Sequence, residues 1–243
     1  MAENILFVFE GEKTEPHIKT SMERYYLGAE RTVLVSVFCS NIYALFHTLN
    51  NDEDLELFYL LKNSEKNRET LADIELSDVS QIYLFFDYDG HSSDARDDKL
   101  LEMLEFFDEE TDKGKLYISY PMVEALRHLG DVAAYRDLTS PISIGRAYKG
   151  ISATEGCNTY NSFIHLSEEK WQLLNRANLM KANYLINDDY VLPTSLLSSI
   201  DIFNKQNEMR ADNDHIAVLS GFPLFLLDYY GVGQILMLTN TAT

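Results

Sequence analysis

Acidic side chains follow two of the most apolar segments of this chain. Glu10 comes directly after the run ILFVF, and Asp87 and Asp89 come after QIYLFF, in the sequence DYDG. With the two-residue period of a strand, Asp87 and Asp89 project to the same side. Carboxylates that lie close together resist ionisation unless a cation binds them. Such oxygen ligands suit Mg²⁺ or Mn²⁺, and Glu10 opposite them would serve as a general acid or base.

Glu15 and Glu124 are two further acids that could serve the same chemistry. Glu15 lies in the sequence EGEKTEP that begins at Glu10, and Glu124 lies in the segment PMVEAL. Each falls in the first turn of a predicted helix, where a carboxylate also stabilises the helix dipole without any further function. Both interpretations stay open from the residues alone. Glu12 and Lys13 are expected to cap the helix or to face solvent.

Histidines and basic residues near these acids are weaker candidates. His91 follows the two aspartates and could contact a phosphate or a metal, although a histidine in a turn is more often structural. His128 comes four residues after Glu124, so the two side chains could share one helix face. Lys149, close to Arg146, could neutralise a phosphate charge. An exposed basic turn is the plainer interpretation of that pair.

Four apolar segments are predicted to be the strands that position these acids. They lie at 4–10, 32–38, 81–90 and 115–119. Helical patterns follow them at 14–28 with Thr14 as a candidate cap, at 40–51 with Ser40 or Asn41 as the cap, at about 96–110, and at 121–129 with Pro121 in the first turn. The alternation predicts an open parallel α/β sheet with right-handed crossovers. Because parallel strands present their carboxyl ends to one edge, Glu10, Asp87 and Asp89 are expected to meet there as ligands within reach of one metal ion.

The remaining segments predict how the chain is divided. The charged, leucine-bearing stretch at about 52–78 is predicted to be a helical insertion in a core that spans residues 1–130. Residues 131–243 are predicted to be an α-rich region packed on that core, with helices near 167–186, 194–210 and 213–230 and no convincing strand. The apolar stretch HIAVLSGFPLFLLDYYG is interrupted by Gly221 and Pro223, which favours a core helix or helix pair over a membrane span.

Composition restricts the function classes. The 243 residues include 20 basic and 39 acidic side chains, and the formal net charge is −19. This charge argues against a protein that holds nucleic acid unaided through a basic surface, although bound divalent cations or a basic partner would change the local sign. Cys39 and Cys157 fit neither a disulfide framework nor a zinc-ligand pattern. The N-terminus lacks the positive leader of a signal peptide, so a cytoplasmic protein without a membrane anchor is expected.

Three short motifs resemble those of the Toprim domain, which topoisomerases, primases and OLD-family nucleases share. The motifs are EGEKTEP, DYDGH and SYPMVEAL, which together span roughly residues 4–130. They are most similar to the RloB-like branch, whose members have an EGxxTEP opening, a DxDxH element and an S-x-P-x-x-E segment. EGEKTEP is the fairly specific motif of the three, whereas DYDG alone is common.

The resemblance implies a Toprim-like fold and a metal-dependent nuclease. Glu10 would be the acid/base glutamate, Asp87 and Asp89 would bind Mg²⁺ or Mn²⁺, and Glu15 and Glu124 would match positions that help to hold a second metal. The implied substrate is RNA, with tRNA as one candidate, or DNA. The implied biology is bacterial antiphage defence with a partner ATPase of the ABC or AAA type. A homo-oligomer is also compatible with this resemblance.

Two other function classes stay open. The sequence FFDYDG resembles the nucleophile motif of haloacid-dehalogenase-like phosphatases, in which Asp87 would form a phospho-aspartate. That motif usually opens its domain and has a hydroxyl residue where His91 stands, and a phosphatase would leave EGEKTEP without a role. The third class is a non-catalytic Toprim-like interaction subunit, whose acids would bind a structural metal or a basic partner.

Overall fold

The predicted parallel sheet is present in the computed structural model, which describes residues 3–27, 32–52, 54–88 and 97–239. Five strands form this sheet in the order β2-β1-β3-β5-β4. They are β1 (Glu3–Phe9), β2 (Thr32–Phe38), β3 (Val79–Asp87), β4 (Asp108–Glu109) and β5 (Gly114–Ser119). β1 pairs in parallel with β2 and with β3, whereas β4 pairs with β5 antiparallel. The α/β class and the four predicted strands are therefore confirmed.

The run ILFVF forms a strand because both of its faces are covered. The side chains from Leu6 to Phe9 are fully buried. The ring of Phe7 stacks on that of Phe85 in the neighbouring strand, with 5.5 Å between the ring centroids. A continuous apolar run without polar alternation is typical of such a doubly covered parallel strand. The strand ends at Phe9, so Glu10 is the first residue beyond it.

In the described part of the chain, four α-helices lie among these strands in the sequence. They are α1 (Thr14–Met22), which continues as a π-helical turn at Glu23–Leu27, α2 (Ile42–Asn50), α3 (Leu57–Asn63) and α4 (Asp97–Phe106). The Asn41 side chain caps α2 by accepting a hydrogen bond of 3.0 Å from the backbone N–H of Ala44, as predicted. The cap position of α1 is Lys13, so Thr14 is the first helical residue and the predicted Thr14 cap is wrong.

Two predicted helices are shorter than their sequence patterns indicated. The helix predicted to reach residue 110 ends at Phe106, and its last residues contribute β4, which is only two residues long. The stretch predicted as a helical insertion at 52–78 is α-helical only in α3, with a 3₁₀ turn at Leu76–Asp78 and other turns between them. Charged residues with scattered leucines favour turns as readily as a helix, because no apolar face persists along the stretch.

The segment 121–129 contains a 3₁₀ turn at Val123–Arg127 and no α-helix. Pro121 precedes this turn, and the Tyr120–Pro121 peptide bond is cis, so the prediction of Pro121 in the first turn of a helix is wrong. Glu124 does lie near the start of the turn, as the sequence indicated.

The C-terminal half is α-rich, as predicted. Its helices are α5 (Val132–Tyr135), α6 (Tyr148–Glu155), α7 (Glu168–Asn187), α8 (Ser199–Asn213) and α9 (Gly221–Thr239). The prediction that it lacks strands is wrong, because β6 (Thr139–Pro141) and β7 (His215–Ala217) form an antiparallel pair. Strands of three residues are too short to show a period in the sequence.

Among the described residues, α9 is the one helix long and apolar enough to cross a membrane by length and composition. Its most apolar window is 44% buried, and the residues from Gly221 to Leu227 are all buried. Gly231 interrupts the helix with a φ of 70°, a conformation that favours glycine. The buried first half is typical of a core helix, and one helix of this kind is weak support for a membrane span.

Contacts within the chain divide it into two compact units. The first unit contains Met1–Phe86 and Glu102–Leu116, and the second contains Asp87–Leu101 and Tyr117–Thr243. Glu10 and Glu15 belong to the first unit, whereas Asp87 and Glu124 belong to the second.

Candidate functional site

In the first unit, Glu10 and Glu15 lie at the turn that follows β1. Glu10 is half-buried, and Glu15 is only 5% exposed although it is a carboxylate. The Oε1 atom of Glu15 accepts a hydrogen bond of 3.0 Å from the backbone N–H of Gly11. A Cβ atom at Gly11 would lie 2.6 Å from Oε2 of Glu15, a contact that the flexible end of the Glu15 side chain could relieve by moving. The hydrogen bond to Gly11 therefore draws the carboxylate of Glu15 back to the backbone that follows Glu10.

Cys39 shows that the carboxyl ends of β1 and β2 are neighbours. Its backbone N–H donates a hydrogen bond of 2.9 Å to the carbonyl of Phe9. Burial raises the pKa of the Cys39 thiol, and the negative charge of Glu10 raises it further, against a hydrogen bond with Asn41 that lowers it. Glu10 therefore lies near the residue that follows β2. Cys39 behaves as a protonated, small side chain.

Glu12 interacts with a different residue from those that Glu10 and Glu15 contact. It forms an ion pair with Lys66, and the two side chains are 54% and 52% exposed. Exposed pairs of this kind contribute little to stability. The prediction that Glu12 faces solvent is confirmed, and this residue offers a matched control for its neighbours.

In the second unit, Asp87 is attached to the turn that contains Glu124. The Oδ1 atom of Asp87 accepts a hydrogen bond of 2.7 Å from the backbone N–H of Val123, the residue before Glu124. Asp87 is the last residue of β3, and the 3₁₀ turn follows β5. The structure therefore attaches Asp87 to the backbone of the turn that contains Glu124, a second predicted site acid 37 positions later in the sequence.

Glu124 is a buried carboxylate with two different oxygen environments. The residue is 4% exposed, and its Oε1 atom lies 3.2 Å from Nζ of Lys149. Its Oε2 atom is buried and has no hydrogen-bond partner among the described residues. A buried polar oxygen without a partner is costly, and such an atom calls for a bound water, an ion or another ligand. The carboxylate of Glu124 is therefore paired through one of its two oxygen atoms among the described residues.

A hydrogen-bonded chain runs beside Glu124 and ends at the surface. Nδ1 of His128 lies 2.9 Å from the hydroxyl of Tyr148, and Nε2 lies 3.3 Å from Oε2 of Glu155. Burial lowers the pKa of His128, while the nearby Glu155 opposes this change. Burial also raises the pKa of Tyr148, and Glu124 contributes to that increase through its charge. The hydroxyl of Tyr148 thus forms a hydrogen bond with His128, and the negative charge of Glu124 acts on the same hydroxyl.

Arg127 fixes α6 against the same turn. Its Nε donates a hydrogen bond of 3.1 Å to Oγ of Ser152, and its Nη2 donates one of 2.8 Å to the carbonyl of Lys149. A Cβ atom at Gly156 would lie 2.3 Å from the carbonyl oxygen of Arg127, so glycine allows the end of α6 to approach the turn. Both ends of α6 are therefore held against the turn that contains Glu124 and Arg127.

Sequence reasoning missed the residues of α6 other than Lys149. Tyr148, Ser152 and Glu155 follow one another at intervals of four and three residues, which places them on one face of a helix. That spacing was the available signal, but Ser and Glu on a helix face usually indicate solvent. The exposed Arg146 lies in a 3₁₀ turn, whereas Lys149 is paired with Glu124. Asp89 and His91 lie outside the described residues.

The described acids supply some of the oxygen ligands that the implied Mg²⁺ or Mn²⁺ would need. Within the part of the chain that the structure describes, no group of three or more His, Cys, Asp or Glu side chains is arranged to hold a metal ion. Asp87 and Glu124 supply the oxygen atoms that these cations prefer, and Oε2 of Glu124 is a buried acceptor with no described partner. The chemistry of these residues fits the cation, with Asp89 as the third predicted ligand.

Comparison of the chain with protein-family models, with curated proteins and with solved structures finds no match. Function is therefore inferred from the residues and their geometry.

Proposed function

We propose that this chain is a Toprim-like, Mg²⁺- or Mn²⁺-dependent nuclease that hydrolyses phosphodiester bonds. The observation that supports the proposal most directly is the pairing of Asp87 with the turn of Glu124, whose Oε2 atom is buried without a described partner. The position of Glu10 directly after β1, with Glu15 folded back on the same turn, adds to this support.

The proposed roles follow from the chemistry of each side chain. Asp87, Asp89 and Glu124 would hold the cation in the second unit, and Glu15 is the further ligand that the family resemblance implies. When bound, the cation would neutralise the charge that develops on the phosphate. Glu10 would accept a proton from the attacking water and return one to the leaving oxygen. Lys149, whose side chain is 54% exposed, would neutralise charge on an incoming phosphate.

A nuclease assay on matched variants tests this proposal. The substrates are single-stranded RNA, tRNA, and single- and double-stranded DNA, each with Mg²⁺, with Mn²⁺ and with a chelator. We expect metal-dependent cleavage by the wild type and a loss of at least about a hundredfold in Glu10→Ala and Asp87→Asn, the usual contribution of a general base or metal ligand. Glu12→Gln should cleave at the wild-type rate, because Glu12 is exposed and paired with Lys66.

The charge of the chain makes a partner part of the proposal. A net charge of −19 repels the phosphates of a nucleic acid, so a basic surface from a second protein would help to bring the substrate to the site. We propose an ATPase of the ABC or AAA type encoded beside this gene, acting with the nuclease in antiphage defence in the cytoplasm. If the purified chain cleaves no substrate, either alone or with that ATPase, the nuclease proposal fails.

The same variants separate the phosphatase alternative from the nuclease. A phosphatase would release phosphate from small phosphate monoesters and would form an acylphosphate on Asp87, detectable as a phosphorylated peptide that hydroxylamine cleaves. A nuclease would show neither property, and Asp87→Asn would reduce its affinity for the divalent cation. Retained metal binding without either activity would favour the interaction subunit.

A further inference from the structure

Lys149 and the candidate cation site share the same carboxylate. Nζ of Lys149 lies 3.2 Å from Oε1 of Glu124, and the second oxygen of that carboxylate has no described partner. A carboxylate that is 4% exposed needs a counter-charge, and a single lysine satisfies one of its two oxygens. The pair is therefore a buried acid neutralised from one side only.

The two partners differ in how firmly they are held. The backbone of Lys149 is fixed, because its carbonyl accepts hydrogen bonds from Nη2 of Arg127 and from Oγ of Ser152. Its side chain is 54% exposed, whereas that of Glu124 is 5% exposed. A lysine side chain is a flexible stem with a strongly hydrated charge, so its ammonium group can move into solvent once another cation takes its place at the carboxylate. Glu124 cannot follow it.

We propose that Lys149 is an internal counter-cation of Glu124, which a divalent cation displaces when it binds. This inference rests on the proposed function and adds the regulation of the same site. Without the metal, Lys149 compensates Glu124 and keeps the turn folded. When the metal binds, the ammonium group is released toward the surface, where it can meet the phosphate of a substrate. Metal binding is thereby coupled to the release of the Lys149 ammonium group for contact with a substrate phosphate.

The variant Lys149→Met tests whether the lysine competes with the metal for Glu124. Removing the competing charge leaves Glu124 uncompensated, so the variant should bind Mn²⁺ roughly five- to tenfold more tightly than the wild type. It should also unfold at a lower temperature without metal and show a larger increase in unfolding temperature on addition of Mn²⁺. Lys149→Arg keeps the charge and should restore both properties toward wild type.

Titration of Mn²⁺ followed by electron paramagnetic resonance measures the affinity independently of cleavage. Lys205→Met is the matched control, because Lys205 forms a surface pair with Glu208 at 2.8 Å and should leave Mn²⁺ binding unchanged. Glu124→Gln should bind Mn²⁺ more weakly than the wild type with either residue at position 149. An unchanged or weaker affinity in Lys149→Met, with metal binding by the wild type intact, overturns the displacement proposal and leaves the nuclease proposal standing. Absence of Mn²⁺ binding in every variant overturns both.

Discussion

Lys181 is a lysine that the second unit buries completely. Its residue exposure is 0%, its ammonium group donates to the carbonyl of Leu138, and Nζ lies 4.6 Å from the ring centroid of Tyr135. Burial lowers the pKa of Lys181 from 10.5 to about 7, and the nearby charge of Asp137 opposes the change. A charged lysine in this position costs the folded state more than it costs the unfolded chain.

The stability of the protein should depend on pH through this lysine. Between pH 7 and 10.5 the unfolded chain keeps the proton of Lys181 while the folded chain loses it, so unfolding takes up a proton. The free energy of unfolding of the wild type should therefore rise relative to that of Lys181→Met between about pH 7.5 and 10, by on the order of 1 to 3 kcal/mol. Urea denaturation at several pH values measures the difference. A difference that is constant with pH would contradict the burial of a titrating lysine, and Lys205→Met should show no such trend.

Asn67 shows how an apparently solvated segment supports an element of the sheet. β2 lies at the edge of the sheet, and its last residue is Phe38. The Asn67 side chain accepts a hydrogen bond of 2.8 Å from the N–H of Phe38 and donates to the carbonyls of Phe38 and Leu61 at 3.0 and 3.1 Å. Asn67 is fully buried, so the stretch 52–78 covers the end of an otherwise open strand.

Replacing Asn67 should therefore destabilise the first unit. Asn67→Ala removes three hydrogen bonds and leaves the part-buried backbone groups of Phe38 and the buried carbonyl of Leu61 without these partners, which should cost about 2 to 4 kcal/mol. Asn63→Ala provides the control, because Asn63 is exposed at the end of α3 and its loss should change stability by less than about 0.5 kcal/mol. If the two substitutions lower the free energy of unfolding equally in urea denaturation, the hydrogen bonds of Asn67 contribute nothing to stability.

The elements that could be predicted from the sequence are those with a persistent pattern. β1, β2, β3 and β5 are apolar runs that are long enough to show the composition of a buried strand, and α7 carries an apolar stripe around Trp171. β4, β6 and β7 have only two or three residues, so their pairing is decided by tertiary contacts that no short pattern records. The 3₁₀ turn of Glu124 contains good helix formers, and the segment around it overrides their propensity.

The residues of the candidate site also differ in whether a sequence pattern could locate them. Glu10 and Asp87 could be located because each follows a recognisable strand, and Glu15 because the motif EGEKTEP places it next to Glu10. The residues that interact with Glu124 could not be located from the sequence, because Tyr148 and Lys149 lie more than 20 residues away. They meet Glu124 only through the docking of α6. The role of Asn67 was equally hidden, since its neighbours in the sequence are polar and exposed.

At the scale of the whole molecule, charge is the dominant property. The chain has 39 acidic and 20 basic residues, so the acids outnumber the bases by 19. At least that many carboxylates have no basic side chain with which to form a one-to-one pair. Most of the ion pairs found in the described residues have at least one exposed partner and therefore contribute little. Mutual repulsion of the remaining acids favours the expanded, unfolded chain.

Screening and specific cation binding should therefore stabilise the protein to different extents. Raising NaCl from about 10 mM to about 0.1 M shortens the Debye length from about 30 to about 10 Å, so the unfolding temperature should rise as the repulsion is screened. At the same ionic strength, MgCl₂ should raise it further in the wild type, because binding to the folded state adds its own stabilisation. Asp87→Asn should keep the response to NaCl and lose the additional response to Mg²⁺. Differential scanning fluorimetry at matched ionic strength distinguishes the two effects. An unfolding temperature that does not rise with NaCl would contradict the repulsion, whereas equal responses to the two salts in the wild type would contradict a specific site at Asp87.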